Sequence, residues 1–322
     1  MKELFDSLSP ILEEEQARVC DFYEIGTVKR WEINYRGLVN RTCELDEKFF
    51  LTLHGRRTHD QVEAIAQVAN GVDETIPIAR PLRGKNGSYA LSVEAVPALL
   101  SPKLPGEHMV GIAHTEKQVL SKELHQKLAV FFWQFQKDLS AMSSSLKRRL
   151  QAQSVSNVTE IPENPPDDFS HLYDYSSGVL SPEYRYPDLI HDDMERQNIL
   201  ISGNDITGLV DLDSLRTGDI LYEFGHFLFN FVLCDPRADL AIIDLYVNEI
   251  IISGIIKPED IPHLYKHIFY FIISDIIEFK FLSEQPHSPQ HKAIDMKLLI
   301  SQYEAALSKA NTFFRKTFPQ SF

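Results

Sequence analysis

The chain has 322 residues, 43% hydrophobic and 24% charged, which suits one large domain or two modest lobes with a sizeable core. A formal net charge of −14 argues against a nucleic-acid partner, because phosphate backbones need basic patches. The three cysteines, Cys20, Cys43 and Cys234, form no CxxC pair, which argues against zinc or dithiol chemistry and fits reduced thiols.

The N-terminal segment is acidic and has no apolar signal core. The most apolar run, Ile268 to Leu282, contains Asp275, Glu278 and Lys280, as a buried helix does and a membrane span does not. A cytoplasmic protein with no membrane partner is expected.

Residues 3–24 read as a helix, with Leu4, Leu8, Ile11, Leu12 and Val19 on one face. Val28 to Asn34 reads as a strand. Arg41 to Leu45 and Lys48 to His54 read as a hairpin about Asp46-Glu47. Residues 58–69 follow the helical period behind a Thr58 cap, and Glu63 lies on that helix. A second hairpin is expected about Gly84-Lys-Asn-Gly, with Tyr89 to Val96 as its closing strand. Three prolines in 97–106 mark a crossing into a second lobe. Lys117 to Met142 is a long helix with Leu120, Leu124, Leu128, Phe131, Phe132, Phe135 and Leu139 aligned. Residues 143–187 are irregular. After Tyr222, helices are expected near 223–233, 237–253, 258–283 and 293–316. The domains follow: 1–96 as one lobe, 97–106 as linker, and 107–322 as a helical lobe.

The informative stretch runs from Leu189 to Phe224. His191-x-Asp193-x-x-x-x-Asn198 is followed by Asp211 at the end of an apolar segment. Phosphoryl transfer uses a carboxylate to orient a hydroxyl, an Asn to hold metal, and an Asp to hold metal on nucleotide phosphates. The segments Asn198 to Ser202 and Ile206 to Leu212 flank Gly203-Asn204-Asp205, a tight-turn sequence. A hairpin here returns Asp211 to the end where Asn198 begins.

HDDMERQNILI and GLVDLDSLRTGDILYEFGHFL resemble the catalytic loop and metal-binding segment of the aminoglycoside phosphotransferase and choline kinase family. YRGLVNRT and KFFLTLHGRR resemble that family's nucleotide-binding lobe. The homoserine kinase and N-acetylhexosamine kinase branches are both similar. The resemblance implies an α+β, protein-kinase-like fold: a small antiparallel-sheet lobe followed by a larger helical one. It implies ATP and Mg2+ as cofactors. Asp193 would be the catalytic Asp, His191 would support the loop, and Asn198 and Asp211 would hold magnesium. Gly37 and Asn40 would lie over the phosphates, and Glu63 would be the helix carboxylate of the first lobe. The base would lie against the segment from Ser92 to Val96, which includes Glu94. Asp213 would join the metal site through water or stand as a loop acid.

Several positions depart from the family pattern. Thr52 stands where many relatives have a phosphate-binding Lys, as it does in homoserine kinases, and Lys48 is a candidate substitute two periods earlier. Asp192 replaces a common Gly, Glu195 replaces a His or Lys, and Glu223 replaces an Asp. The reading is an ATP-dependent kinase of a small hydroxyl-bearing molecule: homoserine, an amino sugar, an aminoglycoside or a choline-like alcohol. Asp235, Asp239, Asp275 and Glu278 are candidates for contacts to an amine-bearing acceptor. The alternatives are a nucleotide-binding pseudokinase and a protein kinase, the last disfavoured by the short gap from Asp211 to Tyr222.

Overall fold

The computed structural model describes residues 11–34, 40–109, 120–151, 185–283 and 296–321. Its first part is built from period-two strands covered by one helix on each side. Strands β1 (Trp31–Asn34), β2 (Arg41–Leu45) and β3 (Phe49–Leu53) form a meander. Asp46 and Glu47 turn β2 into β3 with φ of 49° and 58°. Helix α1 (Glu13–Tyr23) seals one sheet face, burying Val19, Phe22 and Tyr23 against Cys43, Leu45, Leu51, Leu53, Ala98 and Leu100. Strand alternation then puts Thr42, Thr52 and Leu99, which are cross-strand neighbours, on the opposite face. Leu99 there packs into the core that includes helix α2 (His59–Gly71). Thr58 caps α2 as expected, in a capping box closed by Gln61.

Two expectations change between residues 84 and 106. The Gly84–Gly87 turn forms, with the Gly84 amide donating to Ser88 O at 2.7 Å, but no strands flank it. Nor is Tyr89 to Val96 one strand. Strand β4 (Leu91–Val93) reverses at Glu94 and Ala95, whose φ values are 51° and 65°, into β5 (Val96–Pro102). Of the three prolines expected to mark a crossing, Pro97 and Pro102 lie at the two ends of β5, where a missing amide costs least, and Pro105 lies in the crossing itself. The sheet order is β1-β2-β3-β5-β4, with antiparallel pairing throughout. The chain leaves this sheet only after Pro102, and strand β6 (Glu107–His108) already pairs with the second lobe.

That lobe holds helices α3 (Lys122–Ala141) and α4 (Ser144–Arg149), then strands β7 (Pro187–Ile190), β8 (Ile199–Ser202), β9 (Asp205–Leu209) and β10 (Arg216–Asp219). The order β6-β8-β9 makes one small sheet and β7-β10 another. Helix α5 (Ile220–Leu228) follows β10 directly and is buried along nearly its whole length. Helices α6 (Leu240–Ser253), α7 (Leu264–Ser283) and α8 (Met296–Thr317) pack around it. Among the described residues no helix is long and apolar enough to cross a membrane.

Helix α5 runs on into a π-helical turn, Phe229–Leu233. A widened turn loosens the regular carbonyl ladder, so its carbonyls need other donors. Two cations supply them. Fully buried Arg196 donates to Asn230 O at 2.8 Å and Phe231 O at 3.2 Å, and lies 3.7 Å from buried Asp235. Lys309 on α8 donates to Val232 O at 3.4 Å and, just past the turn, to Asp235 O at 2.5 Å. Arg196→Met leaves Asp235 and both carbonyls buried without this partner, so a loss of about 3–5 kcal/mol is expected. Thermal or denaturant unfolding of the purified variant measures it.

Candidate active site

Strand β7 delivers the chain to His191, which is completely buried beside Phe135. Burial drives the imidazole pKa down to about 3, so the ring is neutral. Its Nδ1 accepts the Asp193 amide at 3.2 Å. Asp192 turns the loop with φ of 67°, a left-handed conformation that Asp tolerates better than most residues. Its amide donates to Glu223 Oε2 at 2.9 Å, and its carboxylate takes a bidentate pair from Arg216 at 2.5 and 2.6 Å. Glu223 is fully buried on α5, which raises its pKa to about 7.

The next residues bring the expected groups together. Asn198 Nδ2 donates to Asp193 O at 2.8 Å and to Asp193 Oδ2 at 2.9 Å. Strands β8 and β9 pair as a hairpin about Gly203 and Asn204. The Val210 amide then donates to Asn198 O at 2.9 Å. This bond ties Asn198 to the residue just before Asp211, as hairpin geometry requires. Asp211 itself is left-handed, with φ 59° and ψ 64°. Its side chain is still open to solvent, but partial desolvation by the surrounding chain raises its pKa, with Asp213 adding to the effect. Asp193 is pushed up to about 8 by burial, then by the nearby charges of Glu195 and Asp211.

Glu195, the departure that places an extra acid in the loop, lies 3.5 Å from Nε2 of buried His226. Burial lowers the His226 pKa, but Glu195 with Glu223 and Asp193 outweighs it and lifts the value to about 9. His226 stacks on Phe271 at 4.1 Å. The sequence reading omitted His226, as it did Arg196 and Arg216.

Asp213 is neither an exposed loop acid nor open to the cleft. It is 8% exposed, and its Oδ1 lies 2.6 Å from Nδ1 of His54, just past β3. Arg57 donates to the backbone oxygens of Asp213 and, at 3.2 Å, Leu215. Burial works to raise the Asp213 pKa, but His54, Arg57 and Asn40 hold it below the ordinary carboxylate value. Asn40 therefore stands beside Asp213, at the start of β2, and is itself buried.

The other expected site residues have these surroundings. Glu63 accepts the backbone amides of Tyr89 and Ala90, both at 2.8 Å, and so anchors the approach to β4. Glu94 occupies the β4–β5 turn, pairs with Arg41 at 2.7 Å, and sits at the end of β5 opposite the exit toward the second lobe. Lys48 is exposed in the β2–β3 turn, far along the strand from His54, and cannot stand in for a lysine at Thr52. Thr52 faces the α2 side of the sheet, as a period-two count gives. Asp235 pairs with Arg196, and Asp239 caps α6. Gly37 and the Glu278 side chain lie outside the described residues.

The model of the phosphotransferase enzyme family, APH, matches residues 32–248, about two thirds of the chain. The chain belongs to this family. Comparison with curated protein sequences gives no match. Among solved structures, amicoumacin kinase hAmiN, in complex with AMP-PNP, Ca2+ and Ami, is similar with a TM-score of 0.64. It is 13% identical, over 98% of this chain and 95% of that one. Spectinomycin phosphotransferase APH(9)-Ia, with ADP and spectinomycin, gives 0.62 at 14% identity over 94% and 99%. An aminoglycoside phosphotransferase from Alicyclobacillus acidocaldarius gives 0.62 at 12% identity over 98% of each chain. These likenesses show a shared two-lobe kinase-like fold. Among phosphotransferases of this fold the nucleotide is held between the lobes with a divalent cation.

The residues present suit such a cation. With Nδ2 of Asn198 committed to Asp193, its Oδ1 is the atom able to ligate, and Asp211 adds a carboxylate. Two hard oxygen donors, with phosphate and water completing the shell, are the protein's usual share of a magnesium site. Among the described residues no group of three His, Cys, Asp or Glu forms a self-sufficient metal cage.

The Asp193 shift has a stability consequence in metal-free protein. The folded state keeps its proton up to about pH 8, while the unfolded chain ionises near 3.8, the ordinary value for Asp. The unfolded state therefore binds fewer protons in between, and Asp193 makes stability fall as pH rises through that window. Asp193→Asn should raise the melting temperature in chelator, with the gain growing from pH 4 to pH 8. Unfolding scans across that range test it; a gain independent of pH contradicts it.

Proposed function

We propose that this phosphotransferase moves the γ-phosphoryl group of ATP to a hydroxyl of a small, amine-bearing molecule, with Mg2+ bound by Asn198 and Asp211. The observation that carries the reading is the Asp193–Asn198 hydrogen bond joined through Val210 to Asp211. Asp193 orients the acceptor hydroxyl and accepts its proton. A carboxylate whose proton affinity is raised by burial is a better base than one free in water, once a bound cation allows it to ionise. Bound magnesium supplies charge neutralisation at the phosphates. His191 and Glu223 hold the loop backbone that aims Asp193, and the chain's contribution is positioning and electrostatics.

Two features support a small acceptor with positive charge. Strand β10 leads directly into α5, so Asp211 is followed by no long loop of the kind that receives a protein substrate. Acids also gather beside Asp193. Glu195 and Asp211 both act on it, and Asp192 adjoins it, with His226 and Arg216 offsetting only part of that charge. Kanamycin, gentamicin and spectinomycin occupy structures of the same fold. An amino sugar or aminoglycoside fits this charge best; homoserine and choline-like alcohols share the ammonium group.

Phosphate transfer from labelled ATP, measured on a panel of hydroxyl-bearing amines with magnesium, tests the proposal. Asp193→Ala is expected to lower kcat by about 10²–10⁴-fold, the usual worth of a general base. Magnesium-dependent nucleotide binding with no transfer to any acceptor sinks the enzyme reading for this panel's chemistry. Labelled phosphate appearing on protein side chains redirects it to a macromolecular substrate.

A further inference from the structure

The metal-binding turn is gripped by the sheet lobe on both sides of Asp211. Two residues before it, Leu209 forms a parallel bridge with Ile78: the Leu209 amide donates to Pro77 O at 2.7 Å and the Ala79 amide to Leu209 O at 2.9 Å. Two residues after it, Asp213 is held by His54 at 2.6 Å and, through its backbone, by Arg57. His54 and Asp213 are 5% and 8% exposed, so the pair is shielded from water and from salt. Arg57 also bonds Leu215 O, which closes the short 3₁₀ turn Leu212–Ser214. Asp211 itself is left-handed, a conformation that costs an L-residue energy unless its surroundings impose it.

We propose that His54, Arg57 and Asp213 form an interlobe clasp whose work is to fix the Asp211 turn, making His54 and Arg57 positioning residues for phosphoryl transfer. The catalytic consequence rests on the functional reading above; the clasp itself does not. His54 shares a sheet face with Thr52, two residues on along the strand direction. The clasp thus gives the sheet lobe a cationic hold on the metal turn from that face. Asp213 serves as the anchor of this hold, and its carboxylate is spent on His54 instead of on a water shell around metal.

Hydrogen exchange of the full chain tests the clasp without any ligand. In His54→Gln and Arg57→Gln, amides in 209–215 should exchange at least about tenfold faster, while those of α6 remain as in the parent. The double variant His54→Gln/Asp213→Asn should exchange no faster than either single variant, because one contact is lost in all three. Arg57→Lys keeps the charge without the two-oxygen fork and should fall between parent and Arg57→Gln. In turnover, His54→Gln should lower kcat by about 10–100-fold and raise the magnesium concentration for half-activity, with acceptor KM unchanged. Parent-level exchange in both single variants overturns the clasp, as does simple additivity in the double variant. A rise in acceptor KM with kcat intact overturns the positioning role. If the parent transfers no phosphate, the functional reading fails, and exchange still decides whether the clasp exists.

Discussion

The constraint that organises this structure is the burial of negative charge. Asp192, Asp193, Glu195, Glu223, Asp211 and Asp213 crowd the same few loops: Glu223 and Asp213 are buried, Asp192, Asp193 and Glu195 are half-buried, and Asp211 is exposed. A buried carboxylate is costly unless a cation or several donors meet it. The fold supplies those partners from every direction. Arg216 comes from β10, His226 from α5, and His54 with Arg57 from the sheet lobe. Asp193 receives its direct hydrogen bond from the neutral Asn198 amide, and burial pushes its pKa up to about 8. Under the proposed phosphoryl transfer, that imbalance is what a metal ion and an ammonium-bearing acceptor would offset.

What was legible in the sequence is what lies close along the chain. Asp193 and Asn198 are five residues apart in one loop, and a two-residue turn at Gly203-Asn204 returns the chain to Asp211. Such geometry follows from spacing alone. The partners of the buried acids are not local. His54 and Asp213 are separated by 159 residues, and no periodicity links them. One signal was nevertheless present. Alternation from Thr52 leads back to Lys48 but also forward to His54, and only the forward count stays at the end of the strand that meets the second lobe. Lys48 fell in the turn because Asp46 and Glu47 take left-handed conformations and the strand starts at Phe49.

The expected linker at 97–106 overlaps the end of β5 for a similar physical reason. Prolines at 97 and 102 look like breakers, yet each occupies a strand end, where the absent amide disrupts no central ladder. The reversal that mattered was carried by Glu94-Ala95, which has no turn-forming glycine, asparagine or proline to announce it. Glu63 was assigned by its place on α2. Its carboxylate turns to the Tyr89 and Ala90 amides instead, where two backbone donors that belong to no strand need an acceptor.

The loop that carries Asp193 is held mostly by groups outside it. Glu223 on α5 holds the Asp192 amide, Arg196 reaches into the π-turn, and Val210 of the returning strand holds Asn198. This external support explains how Asp can stand at 192 where a left-handed backbone favours Gly. Its φ of 67° costs about 1–2 kcal/mol for an L-residue. The bidentate Arg216 pair, part-buried and short, offers a charge-assisted contact of comparable size. A glycine would relieve the backbone and forfeit that contact. The substitution therefore exchanges conformational ease for a fixed acid–arginine pair beside Asp193.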